Sequence, residues 1–425
     1  VSSPLAALLD VNPGPVRDRP TVALDPYAVY AFETRTGRVA ARIPYVGQPS
    51  WSLGLNTAGD WRVTVPLGTS DIDLETLNGV SDPWRYSWAI CQGTKIWQAG
   101  PVVSENYQGG NTTTFTGGGL LKYWSDKRLL LNPARASASD VASSAADLCF
   151  GPTGYTPVIG GTVAAGNRDL SLHTILKRLF ELTNTATGAG IPLVLPADIA
   201  GSAIREYPGY DLASVGQRAL ELSQVIGGPE FQFVPEFADP ATKASVRWVL
   251  RIGNPRLGNL GFAHVWDHRK ALIDSVFDTD GGYRITRDFE RGNGMNRDLV
   301  TGYADVAMGP NPSDLLLERA GSDHTSATST SVLTEWASAA VADGQAAAPT
   351  ITHTVRTAGD DGNGFKSRSP HTAEIACGDN MTAYYTMHPR LGSAAIACRI
   401  VAMTSTGRPS EIELQTQTLG VVNDG

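Results

Sequence analysis

Two imidazoles four residues apart, in His264-Val265-Trp266-Asp267-His268, are the first place where residue type and spacing point to chemistry. On a helix that spacing offers two zinc ligands to one face, but the hydrolytic pattern needs a Glu directly after the first His as general base, and Val265 stands there. The surrounding alternation reads as a strand, on which His264 and His268 also share a face, and structural histidines are the plainer reading. Asp278-Thr279-Asp280-Gly281-Gly282 has the outline of a calcium loop without its third oxygen ligand or its closing bidentate Glu, so it reads as a tight turn. Asp360-Asp361-Gly362-Asn363-Gly364 is likewise a loop signal first.

Nucleophilic chemistry finds no better footing. There is no Gly-x-Ser-x-Gly elbow, and Cys91, Cys149, Cys377 and Cys398 are too far apart for a C-x-x-C pair. Four reduced, mostly buried thiols are expected; whether Cys377 and Cys398 meet across one strand region stays open. Asp71 and Asp73 are a carboxylate pair of the kind a glycosidase uses, yet that chemistry needs a set separation across a cleft, which sequence does not give. Gly117-Gly118-Gly119 and Gly160-Gly161 lack the Lys and Ser/Thr of a phosphate loop. Trp51, Trp97, Trp124, Tyr384 and Tyr385 can stack on sugars, but aromatics in strands are core or interface first. The expectation is a protein that is not an enzyme, with no catalytic, cofactor-binding or metal-ligating residues and no cofactor.

Charge points the same way. The chain has 425 residues, a formal net charge of -8 and 18% charged residues, against about 25% in a typical soluble protein. Phosphate binding wants clustered Lys and Arg, and the longest clusters, Lys177-Arg178 and His268-Arg269-Lys270, read as solvated faces, so no sequence-specific nucleic-acid binding is expected. With 45 Gly and 26 Pro spread along the chain, the picture is many short strands and many turns. No run approaches a membrane span, and Leu5 to Leu9 is too short for a signal-peptide core, so a soluble cytosolic product is expected.

The elements follow from periodicity. Asp211 is placed to cap a helix whose stripe is Leu212, Val215, Ala219, Leu222 and Ile226, ended by Gly227-Gly228-Pro229. Phe231-Gln232-Phe233, the Asp239-Pro240 turn, and Val246, Trp248, Leu250 and Ile252 then read as a strand pair. Leu172, Ile175, Leu176, Leu179 and Phe180 make a second helical stripe, begun by Asp169 and finished before Gly188, that should pack on the first. Trp61, Val63, Val65 and Leu67 alternate as a strand, Tyr86 to Ile90 and Ile96-Trp97 form a hairpin, Thr112 to Phe115 is a strand, and Leu120 to Trp124 gives one or two helical turns. Farther on, Val276-Phe277, Tyr283 to Ile285 and Leu299 to Ala304 read as strands. Ser331 to Ala348 reads as a helix with Val332, Trp336, Ala340 and Val341 aligned. Ile351 to Val355, Thr382 to Thr386, Ala397 to Met403 and Ile412 to Thr418 close the chain as strands.

The ordered pieces carry a resemblance. Tyr207-Pro208-Gly209-Tyr210-Asp211-Leu212, then Gly227-Gly228-Pro229-Glu230-Phe231, then Asn254-Pro255-Arg256-Leu257-Gly258 resemble the middle of tail-tip, or baseplate-hub, minor tail proteins of long-tailed phages of actinobacteria. Trp51 to Leu67, Trp84 to Val103, Gly378-Asp379, His388-Pro389, Arg399-Ile400-Val401 and Glu411 to Leu414 extend the likeness over roughly residues 30 to 420. The resemblance implies a structural virion protein, made in the host cytoplasm, forming a homotrimeric ring around the DNA channel. It would adapt a sixfold tube to a threefold tip, with distal tail, tape measure and downstream tip proteins as partners. It transfers no active-site residue. The other readings are a β-rich carbohydrate-binding or adhesion module and a tail-borne cell-wall hydrolase.

The expected organisation is α+β and β-rich. It has an extended arm at 1–26, a β-barrel-like hub domain at 27–135, a linker at 136–166, an α+β module at 167–304, a mixed helical connector at 305–349 and a second β-barrel-like domain at 350–425.

Overall fold

The computed structural model describes residues 26–131, 143–185, 188–225, 227–305, 315–323, 329–344, 349–360, 366–367 and 375–422, apart from 260, 262, 269, 280, 283 and 358. The expected arm lies outside them except for Pro26, as do Ile226, Arg269, Asp280, Tyr283 and 361–364. The fold is α+β and rich in strands. Two compact units divide the chain, Val1–Asp274 with His353–Gly425, and Ser275–Thr352.

The larger unit begins with β1 (Tyr27–Glu33), β2 (Val39–Ile43), β3 (Ser50–Gly54), β4 (Asp60–Pro66), helix α1 (Leu74–Gly79), β5 (Tyr86–Gln92), β6 (Lys95–Asn106) and β7 (Thr112–Gly118). They lie in the order β3-β4-β7-β6-β5-β1-β2, antiparallel throughout. Val46 N–H donates to the Thr64 carbonyl at 2.9 Å, drawing the chain beyond β2 back to β4. Trp61, Val63 and Val65 are buried on β4, as their alternation predicts. Strand β5 departs from alternation because it is buried along its whole length. One face sets Trp88 against Trp61 and Phe115, and the other gives Ala89 and Cys91 to the core of the middle module. A strand covered on both faces loses the polar half of its period.

The middle module starts with α2 (Leu121–Asp126), β8 (Leu148–Gly151), β9 (Val163–Arg168), α3 (Leu172–Asn184), β10 (Leu193–Val194) and β11 (Arg205–Tyr207). It continues with α4 (Val215–Ser223), β12 (Phe231–Phe237), β13 (Val246–Ile252) and β14 (Ala263–Asp267). The segment expected as a linker thus carries β8 and the start of β9. Ile175, Leu176, Leu179 and Phe180 of α3 share one core with Val215, Ala219 and Leu222 of α4, and with Trp124 and Trp248. Both helix starts lie a few residues later than expected. Ser171 caps α3 by accepting from Thr174 N–H at 3.3 Å, while Asp169 accepts from Thr153 instead. Ser214 caps α4 through Gln217 N–H at 3.1 Å, whereas Asp211 ends a 3-10 turn and Leu212, at φ 48°, is 48% exposed and off the buried stripe. Asp and Ser are comparable caps, so propensity alone does not choose between neighbouring candidates.

From Leu272 to Arg356 the chain runs through β15 (Leu272–Thr279), β16 (Arg287–Arg291), β17 (Thr301–Asp305), β18 (Glu318–Asp323), α5 (Thr330–Gly344) and β19 (Pro349–Arg356), of which β16, β17, β18 and α5 lie wholly in the smaller unit. The strand expected at Tyr283 to Ile285 is instead β16, two residues beyond it; β16 pairs antiparallel with β17 and parallel with β18. Helix α5 buries Leu333, Ala337 and Val341, while Val332 is exposed, so the buried stripe is offset from the expected one.

The chain ends with β20 (Gly359–Asp360), β21 (Lys366–Ser367), β22 (Asn380–His388), β23 (Gly392–Ser405) and β24 (Glu411–Val422). Strand β23 pairs with β22, β24 and also β3, aligning Ala402 with Gly54, Met403 with Leu53 and Thr404 with Ser52. The β-rich start and end of the chain therefore share one sheet.

Candidate functional site

The ordered pieces of sequence converge on one buried polar clasp. Arg399 projects from β23 with 4% of its side chain exposed. Its Nη1 donates to Glu230 Oε1 at 2.6 Å, its Nη2 to Glu230 Oε2 and to the Leu257 carbonyl at 2.7 Å, and its Nε to the Gly378 carbonyl at 3.1 Å. Glu230 also accepts from Leu257 N–H at 2.8 Å, and its backbone bonds Pro255 and Gly253. A forked guanidinium on a carboxylate, with carbonyls taking the remaining donors, is the geometry in which a buried ion pair recovers its desolvation cost.

The same clasp holds Asp379. Its carboxylate accepts from Asn259 N–H at 2.8 Å, Ala376 N–H at 3.0 Å and His264 Nε2 at 3.2 Å. Burial pushes this carboxyl up, but the bonds from His264, Asn259 and Ala376 outweigh it and hold the group below its ordinary value. Gly258 and Gly378 pass each other with positive φ, and a Cβ on Gly258 would come 2.1 Å from the Gly378 carbonyl. Only glycine permits that approach. Both acids are engaged as acceptors, so the arrangement ties together four chain segments, at Glu230, 253–259, 376–379 and Arg399.

The Tyr-Pro-Gly-Tyr-Asp stretch does parallel work. Glu206 beside it gathers the 155–159 loop, accepting from Tyr155 Oη at 2.5 Å, Val158 N–H at 3.0 Å and Ile159 N–H at 3.2 Å. The bond to Glu206, then burial, pushes the Tyr155 phenol up to about 12. Gly209 N–H donates to Asp147 at 2.9 Å where a Cβ would collide with Ala146, and Asp211 pairs with Arg218.

The residues singled out for chemistry are placed apart. His264 faces Asp379 in the clasp, whereas His268 lies in the turn after β14, its ring 6.0 Å from Tyr385 and 5.7 Å from His388. Among the described residues no group of three His, Cys, Asp or Glu is arranged to hold a metal. All four cysteines are buried free thiols; Cys377 lies against the Leu53 carbonyl and Cys398 against His353, so the two do not pair. Asp73 caps α1 by accepting from Thr76 N–H at 2.7 Å, while Asp71 is exposed. Lys177 and Arg178 share Asp198, at 2.6 and 2.7 Å, and do not form a free basic face. Trp51, Trp97, Trp124 and Tyr385 are buried, and only Tyr384 of the five aromatics is exposed, at 42%. The pairing of Glu230 with Arg399 is the feature that sequence reasoning missed. Its signal was present: a single charge inside the apolar run Ile396-Ala397-Cys398-Arg399-Ile400-Val401 demands a buried partner.

No family model matches this sequence, and no curated protein matches it. Solved structures do. The tail protein from Neisseria meningitidis MC58 superposes with a TM-score of 0.51 at 13% identity, covering 93% of this chain and 97% of its own. The 43 kDa tail protein of prophage MuSo2 from Shewanella oneidensis does so with a TM-score of 0.54 at 7% identity, covering 92% of this chain and 96% of its own. At such identities the likeness is one of fold, and it runs nearly end to end.

Proposed function

We propose that this chain is a structural protein of a phage tail tip, a baseplate hub, and not an enzyme. The observation that carries the reading is the near full-length likeness in fold to two tail proteins, one of them encoded by a prophage. The ordered motif resemblance, found from sequence alone, supports it and adds an actinobacterial host to the proposal. In this reading the protein resides in the virion and touches distal tail, tape measure and downstream tip proteins.

Its symmetry follows as part of the same proposal. Three copies form a ring in which the β-rich start and end, each barrel-like, alternate around the DNA channel, giving six similar contacts to the tube and three to the tip. The shared sheet through β3 and β23 supports this by fixing the two ends within one subunit. A net charge of -8 suits a channel that DNA must pass without sticking. A map of the virion tests it: three copies are expected, and six copies, one copy, or β regions lying outside the ring would overturn the arrangement. The hydrolase reading is tested separately by exposing host peptidoglycan to purified protein, with and without zinc or calcium. No clearing is expected.

A further inference from the structure

Beside the clasp, a cavity of about 50 Å³ is walled by β3, β6, β12, β13 and the segment at Ile375 to Cys377. On the same measure one water needs roughly 10–15 Å³, so there is room for a molecule of a few heavy atoms. Two cations line it, Lys95 from the start of β6 and Arg251 from β13, where Arg251 stands opposite Gln232. Both are half-buried, and among the described residues neither has a salt-bridge partner. The Trp97 ring lies 5.3 Å from the Lys95 Nζ. The carboxylate that acts on it, Asp379, is already taken by Asn259, Ala376 and His264. Burial and then the Arg251 charge push the Lys95 ammonium below its ordinary value.

Two like charges in one half-enclosed space are costly unless an anion lies between them. Lysine contributes up to three donors and arginine a planar fork that matches two oxygens of a carboxylate or phosphate. We propose that this cavity is a binding site for one small oxyanion of the carboxylate or phosphate kind, held between Lys95 and Arg251. Bound there, it would neutralise the seam where the first β region, the middle module and the last β region meet. The inference concerns the isolated chain and stands or falls independently of the tail-tip reading.

Thermal unfolding of the purified full chain tests it, in chloride and then with inorganic phosphate or acetate added at constant ionic strength. At least one of the two anions should raise the midpoint along a saturating curve, and comparing them tells phosphate from carboxylate preference. In Lys95→Met and Arg251→Met the half-saturating concentration should rise at least tenfold. Should either variant fail to fold, Arg251→Lys, which keeps the charge and loses the fork, should still weaken binding severalfold. No saturating rise with either anion, or one that is the same in parent and variants, overturns the site; a rise linear in concentration and common to all would be general salt stabilisation.

Discussion

The first β region of the larger unit is filled with rings, and the last is built mainly of aliphatic side chains around a buried histidine. Trp51 stacks on Trp97 with centroids 4.6 Å apart, and Trp88 lies 5.7 Å from Trp61 and 4.7 Å from Phe115. In β22 and β23 the buried positions are Met381, Ala383, Tyr385, Ile396, Cys398 and Ile400, and beneath them His353 is completely buried. Its Nδ1 lies 3.3 Å from Tyr385 Oη and its Nε2 3.9 Å from Cys398 Sγ. Similar antiparallel pairing thus encloses a stiffer interior of stacked rings, in which the buried Tyr27 hydroxyl accepts from Trp51 Nε1 at 3.3 Å, and a softer one built around the His353 imidazole. The clasp is where the soft region is tied to the middle module.

Breaking that tie should have the largest effect. Arg399→Met leaves Glu230 without its cation and two carbonyls without their donor, and removing one member of a buried pair costs about 3–5 kcal/mol. Chemical denaturation should show a lowered midpoint, with loss of the larger unit as a whole. An unchanged midpoint would mean that the β3 to β23 pairing alone holds the ends together.

Acid should separate the two regions next. Burial pushes His353 from its ordinary value down to about 4, so it stays neutral in the folded chain where an unfolded chain would already be protonated. Its contribution is complete above the unfolded pKa of about 6.5 and is lost as pH falls through the folded value, a total of about 3 kcal/mol. Asp379, held below its ordinary value, adds a loss only as pH falls through the carboxylate range. Stability should therefore decline from pH 6.5 to 4, and His353→Gln should flatten that decline. The same slope in parent and variant would place the acid sensitivity elsewhere.

How far the sequence foretells this depends on the range of the interaction. The strands of β4, β12 and β13 and the stripes of α3 and α4 are legible because burial on one face imposes a period within ten residues. Strand β5 is less so, since both of its faces are covered. The caps slipped because Asp169 and Asp211 satisfy partners elsewhere, Thr153 and Arg218, that are invisible until the chain is folded. The clasp was spelled out piecewise, in Glu230, in Asn254 to Gly258, in Gly378-Asp379 and in Arg399, but the pairing of Glu230 with Arg399 spans 169 positions, which no local pattern reports.

A pair of matched truncations sharpens the contrast at smaller scale. Ile90, on the same face of β5 as Trp88, and Ile400, diagonal to Met381 across the strand pair, are both fully buried. Deleting one methyl costs roughly 0.5–1.5 kcal/mol, depending on how far the surroundings collapse into the gap. Stacked indoles cannot follow a lost methyl, whereas a flexible methionine can. Ile90→Val should fall near the top of that range and Ile400→Val near the bottom, read from unfolding midpoints at equal slope; the reverse order would remove the distinction between rigid and soft interiors.

The smallest effect is expected at the surface of the soft region, and it bears on what the protein does. Tyr384 is the one aromatic of the five sugar-stacking candidates that solvent reaches. Its backbone is already committed, pairing with Asp267 and accepting from His268 N–H at 2.9 Å, so its ring is free to be removed without disturbing the sheet. Tyr384→Ser should change stability by less than about 0.5 kcal/mol, as surface substitutions away from special features do. If the chain were instead a carbohydrate-binding module acting through those aromatics, the other four being buried, binding would have to rest on this ring. Titration of host cell-wall glycans should then show affinity in the parent that the variant loses. The tail-tip reading expects neither protein to bind, and a loss of measured binding in Tyr384→Ser, with stability intact, would decide for the carbohydrate reading.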